Sequence, residues 1–271
     1  MNQLILFAAA VLPSVLLFLF IWKKDPVKEP FSWLLKFFFW GVGICIPIAI
    51  VELVVQKVLI GGAGPTSLVG GIIMAFFVAA IPEEGGKLLI LHNKLKKNPY
   101  FDEHFDGIVY AVCVGLGFAT IENISYVFGE AENPGAVAAV RAILSVPGHY
   151  AFAVLMGYYY SLYIFVDRSE KNLLYAFLIP VIFHGIYDAL LMIMPFVSEG
   201  VAVCSLLVLL VFCYRMHKYA YKRIQAQIQR DQMEEVEDTF ERTNTTANNQ
   251  DTSFHFDSSD EPKNNMADLW H

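Results

Sequence analysis

Charge is what this 271-residue sequence has least of. Only 17% of its residues are Asp, Glu, Lys or Arg, against 56% hydrophobic, and the mean hydropathy is +0.49. A soluble domain carries about 25% charged residues, so this balance excludes one. Cysteine is scarce too. Cys45, Cys113, Cys204 and Cys213 stand apart inside apolar runs without CxxC spacing, so they read as small hydrophobes and imply neither disulfides nor a thiolate metal site.

What is abundant is long apolar sequence. Stretches of about 20 residues, the length that crosses a hydrocarbon core, lie near 2–22, 33–57, 68–91, 107–129, 141–166, 173–195 and 199–214. The expected fold is therefore an all-α polytopic membrane protein with about seven transmembrane helices. The first stretch has no basic segment before it and is followed by Lys23 and Lys24, so it reads as a retained helix. Basic residues collect in alternate loops: Lys23, Lys24 and Lys28, then Lys94, Lys96 and Lys97, then Arg168 and Lys171, then Arg215, Lys218, Lys222 and Arg223. The other loops have almost none beyond Lys57 and Arg141, and one of them, GEAENPG, is acidic. The expected orientation is N-out and C-in, in the inner or plasma membrane of the cell.

Composition changes after Arg230. Residues 231–271 carry eleven Asp/Glu against Arg242 and Lys263, a net of −9, which leaves +2 for the rest of a chain whose total is −7. The acidic balance thus belongs to a tail, and a segment this polar is expected to be disordered in the cytoplasm. The expected organisation is a transmembrane domain over 1–214, a basic juxtamembrane helix over 215–230 and the acidic tail over 231–271. The expected partners are lipid and a membrane protein, with no nucleic acid.

The few ionisable residues inside the spans are Lys36, Glu52, Glu83, Glu84, Lys87, Glu122, His149, His184 and Asp188. A charge near the bilayer centre costs at least about 2.5–3.5 kcal/mol, so each needs a reason. Lys36 and Glu52 lie close to span ends, where snorkelling makes them cheap, and read as structural. Within AAIPEEGGKLLIL, Glu83 and Lys87 are i and i+4, which lets the ammonium neutralise one carboxylate while Glu84 points about 100° away. In RAILSVPGHY, Arg141, Ser145 and His149 follow at i+4 steps, interrupted by Pro147; in FHGIYDAL, His184 and Asp188 share a helical face. Taken singly, each is equally well a buried hydrogen-bond partner or a packing clasp. Taken together, on four helices, they supply more acid, base and ligand groups than packing requires.

EEGGK at 83–87 fits EExxK, FATIE at 118–122 fits FxxxE followed by Asn123, His149 stands alone in the next span, and HGIYD at 184–188 fits HxxxD. This ordered set resembles the PrsW family of intramembrane proteases, relatives of the type II CAAX prenyl proteases and Abi proteins. The likeness covers about 68–195. Where CAAX proteases carry EExxxR and FxxxH, this chain has EExxK and FxxxE, which favours PrsW. The resemblance implies an endopeptidase acting on a single-span membrane protein such as an anti-sigma factor, in a site-1-type cleavage.

The chemistry asks for a base, an activated water and an oxyanion donor. Glu83 or Glu84 is the candidate base. Glu122, His149, His184 and Asp188 complete the candidate catalytic set, supported by Lys87, Asn123 and Arg141. His149 and His184 with a carboxylate are candidate ligands for a divalent metal such as zinc. A metal-dependent and a glutamate-only mechanism both stay open. HExxH, GxSG and GxGD are absent, which sets aside the zinc site-2, rhomboid and presenilin types. Two other classes share these features, a proton- or ion-coupled transporter and a non-catalytic scaffold of the same fold. At about 1.5 Å per residue, Glu83 falls about 22 Å from the outer end of its span and Glu122, His149 and His184 about 10–16 Å, a mismatch left for span boundaries shifted by about 2–4 residues and a kink at Pro82 to absorb.

Overall fold

Every apolar stretch folds as helix, because a span in hydrocarbon must satisfy its own backbone hydrogen bonds. The computed structural model describes residues 2–129 and 132–251, with 245–251 by backbone alone. Among the described residues seven segments are long and apolar enough to cross a membrane. They are α1 (Gln3–Lys24), α2 (Phe31–Ile60), a third segment over Leu68–Leu95, α5 (His104–Phe128), a fifth over Pro134–Asp167, α8 (Glu170–Met192) and the start of α9 (Glu199–Asp251). The third is composite: α3 (Leu68–Ile73), a π-helical stretch (Met74–Ala80) and α4 (Ile81–Leu95). So is the fifth, built from α6 (Pro134–Ile143), α7 (Ser145–Ser161) and a π-helical turn (Leu162–Asp167).

The chain divides into two units, one ending at Asp231 and one beginning at Gln232. The acidic segment is helical as far as Asp251, and 252–271 lie outside the described residues. Asp231 belongs to the first unit. Its carboxylate accepts from the backbone N–H of His104 at 2.7 Å and of Phe105 at 2.9 Å, so it caps the exposed donors at the start of α5.

Helix α5 is the centre of the bundle, buried continuously from His104 to Thr120 and packed by α1, α2, α4, α6 and α7. Glycine lets it be surrounded so closely. A Cβ at Gly117 would collide with the carbonyl oxygen of Phe38, and one at Gly41 with that of Val114, so α2 and α5 touch backbone to backbone. Neither clash is relieved by a rotamer change. Gly117→Val is therefore expected to destabilise the protein by about 3 kcal/mol, the upper end for overpacking. Thermal unfolding in detergent checks this.

The irregularities before Pro82 and at Leu144 each lie beside a proline. Pro82 has no N–H and crowds the preceding turn; the chain answers just upstream, where Ile81 N–H bonds to Phe76 O five residues back. Pro147 likewise leaves a donor missing, and Leu144 departs from helical geometry between α6 and α7. The π stretch rises less per residue than an α-helix. The helix ends are also uneven, since Gly71, near the start of the third segment, packs on the carbonyl of Met192, the last residue of α8.

Candidate active site

The irregular helices bring most of the scarce charges together. In the first turn of α4, Glu83 and Glu84 precede Lys87 by four and three residues, so one ammonium reaches both carboxylates. Lys87 Nζ lies 3.0 Å from Glu83 Oε2, 2.8 Å from Glu84 Oε1 and 3.3 Å from His149 Nδ1. Its face rests on the Phe118 ring, 4.2 Å from the centroid. That gives FATIE a physical meaning: Phe118 holds Lys87, and Glu122, one turn on, holds His149.

An ammonium only donates, so His149 Nδ1 accepts and its proton sits on Nε2, which donates to Glu122 Oε2 at 2.6 Å. Arg141, delivered by the break between α6 and α7, pairs with the same Glu122 oxygen at 3.0 Å. Asn123 fixes that arginine: it accepts from Arg141 Nε at 2.9 Å and donates to Ala10 O of α1 at 2.7 Å. On the other side, His184 Nδ1 lies 2.9 Å from Glu84 Oε1 and Nε2 lies 3.2 Å from Asp188 Oδ2. Carboxylates only accept, so His184 is a double donor. Phe152 stacks on its ring at 4.7 Å. The result is one continuous chain of polar contacts, Glu122–His149–Lys87–Glu83/Glu84–His184–Asp188. Charges buried this far from water are tolerable only because each is paired.

The two glutamates are not equivalent. A cavity of about 530 Å³ is lined by Glu83, Glu122, His149, His184 and Asp188, while Glu84 lies behind it with no exposed surface. Glu84 Oε1 serves both Lys87 and His184, and its Oε2 is buried without a partner. Glu83 is hydrogen-bonded through Oε2 alone, to Lys87, and itself lines the cavity.

Glu83, Glu84 and His149 each offer a ligand atom within 4.8 Å of the others. As arranged, Lys87 Nζ lies within 3.3 Å of Glu83 Oε2, Glu84 Oε1 and His149 Nδ1, so a divalent metal held through those three atoms would have to displace the ammonium. His149 and His184 lie near each other, with ring centroids 5.4 Å apart, but among the described residues no carboxylate joins both within that 4.8 Å span.

Some residues of the site were not singled out by spacing. Glu52 of α2 lines the cavity although its place near a span end reads as snorkelling, and Tyr187 meets Ser145 at 3.2 Å between α8 and α7. Lys36, by contrast, lies over the ring of its helix neighbour Trp33 at 4.0 Å and stays out of the cavity lining.

Similarity to known proteins spans the segment that carries these residues. A family model described as PrsW family intramembrane metalloprotease matches residues 29–215, a range that contains the whole polar chain. Protease PrsW of Clostridioides difficile is 40% identical over 196 residues, covering 70% of this chain and 81% of that protein. Protease PrsW of Geobacillus kaustophilus is 37% identical over 189 residues (69% and 80%), and that of Bacillus subtilis 35% over 187 residues (68% and 81%). No solved structure matches. With seven membrane-spanning helices around a buried carboxylate and histidine site, and with this match over more than half its length, the chain belongs to the PrsW family and is an intramembrane protease.

Proposed function

We propose that Glu83 is the general base of this protease, activating water for attack on a peptide carbonyl, and that no metal ion takes part. The observation that carries this reading is the division of labour between the paired glutamates: Glu83 opens on the cavity, and Glu84 is consumed by Lys87 and His184. Glu83 takes the proton from water and returns it to the leaving amide nitrogen. His184, held at both nitrogens, turns its Nε2–H from Asp188 to the developing oxyanion. Glu122 and His149, braced by Arg141 and Asn123, keep Lys87 against the glutamates. The family's description as metalloproteases implies a metal; here the ammonium of Lys87 stands at the convergence of the candidate ligands and supplies the positive charge.

The substrate in this reading is a single-span membrane protein of the anti-sigma-factor kind, cut near its extracytoplasmic end. Alternate basic loops support N-out, C-in insertion in the cell membrane. The cavity's position between Glu52 of α2 and Met192, at the end of α8 remote from those loops, supports an outer-half site. Purified protein in phosphatidylethanolamine/phosphatidylglycerol vesicles with a single-span substrate helix tests this. Mass spectrometry is expected to map the new termini to the outer half of that helix. Termini in the inner half would overturn the placement, and an uncut substrate would overturn the reading.

A further inference from the structure

A second group of carboxylates lies outside the active site, where α1 ends and α5 begins. Asp25 caps the C-terminus of α1, Glu29 follows in the loop, Asp102 and Glu103 precede α5, and Asp106 stands in its first turn. Asp25, Glu103 and Asp106 each offer an oxygen within 4.8 Å of the others, and so do Glu29, Asp102 and Asp106. Asp25 is 1% exposed and Asp106 is fully buried.

Hydrogen bonds use only part of this set. Asp106 Oδ2 accepts from the N–H of Asp102 at 3.2 Å and of Glu103 at 2.9 Å, Asp25 Oδ2 accepts from Glu29 N–H at 3.2 Å, and the Tyr110 hydroxyl donates to Glu29. Capping therefore accounts for one oxygen of each aspartate. The other, Oδ1 in both, is buried without a partner. The nearest ammonium does not fill the gap, since Lys28 donates to the carbonyl oxygens of Trp22 at 2.8 Å, Lys23 at 3.2 Å and Asp25. Carboxylates gathered this closely, two of them with a buried oxygen that accepts no hydrogen bond, form an all-oxygen donor set open to a cation.

We propose that Asp25, Glu103 and Asp106, with Glu29 and Asp102 beside them, bind a hard divalent cation, calcium or magnesium, that fastens the end of α1 to the start of α5. The all-oxygen donor set selects such an ion over zinc or copper. Asp102 is exposed and Glu103 half-buried, so the ion enters from the aqueous side. The fastening matters to the active site because α5 carries Glu122, and α1 holds Asn123 through Ala10 O.

The test uses full-length protein in detergent, stripped of cations by a chelator. Equilibrium dialysis with radiolabelled calcium is expected to find about one ion per chain. Thermal unfolding is expected to move up by several degrees at about 100 times the dissociation constant. Glu83→Gln protein should bind as wild type does, which separates this ion from the catalytic centre. Asp25→Asn/Asp106→Asn protein should bind none and, freed of repulsion, unfold no lower than cation-free wild type. Should that double variant fail to fold, Glu103→Gln alone is expected to weaken binding at least about tenfold. Displacement of calcium by millimolar magnesium would mark magnesium as the resident ion; retention would mark calcium. Wild-type protein that neither binds nor is stabilised, or a folded variant that binds equally well, overturns the proposal.

Discussion

Glu83→Gln protein is expected to insert and fold as wild type does while losing proteolysis by about 10³-fold or more, within the range a general base supplies. Glutamine keeps the shape of the side chain, and its amide oxygen still accepts from Lys87, so the frame survives. What disappears is the group that takes the proton from water. Glu84→Gln should behave differently. Its carboxylate is the shared acceptor of Lys87 and His184, both charged or doubly donating partners, so its loss weakens two hydrogen bonds of the stronger kind. A stability loss of about 1.5–3 kcal/mol is expected along with a slower rate. Cleavage rates in vesicles, set beside unfolding midpoints of the same preparations, separate the two effects. Equal and purely kinetic losses at both positions would count against the division of labour.

Lys87→Met is expected to be the most destabilising single change in the site, by about 3–5 kcal/mol, because it leaves buried acids without the charge that compensates them. The ammonium contacts Glu83, Glu84, His149 and the Phe118 ring at once, so one substitution cuts the polar chain at its middle. Denaturant unfolding in detergent measures the loss. A double variant, Lys87→Met with Glu84→Leu, should recover part of it, since one buried acid instead of two is then left without the ammonium. A Lys87→Met protein as stable as wild type would mean that the glutamates do not carry buried charge.

The helices, and the charged pairs that meet beside the cavity, could be read from the sequence because both rest on local patterns. Apolar length gave the seven spans, and i, i+4 spacing set Glu83 with Lys87 and His184 with Asp188. What could not be read depends on contacts distant in sequence. The roles of Glu83 and Glu84 differ only because α8 brings His184 to one of them. Glu52 counts as part of the cavity only once α2 is placed beside the third span. The π-helical stretch is a backbone response to Pro82 that displaces the irregularity upstream of the proline itself, where no residue advertises it. Asp231 looked like the first residue of an acidic tail, yet it closes the start of α5, more than a hundred residues earlier in the chain.

The central claim is that the ammonium of Lys87, rather than a metal ion, holds the catalytic carboxylates. Its most direct test is the cleavage rate of vesicle-reconstituted protein treated with phenanthroline, with zinc and iron followed by elemental mass spectrometry to well below one atom per chain. Calcium and magnesium are kept present, so that the proposed cation site at the start of α5 stays filled. The rate is expected to be unchanged. Cleavage that disappears with the transition metal and returns on adding stoichiometric zinc would contradict the account.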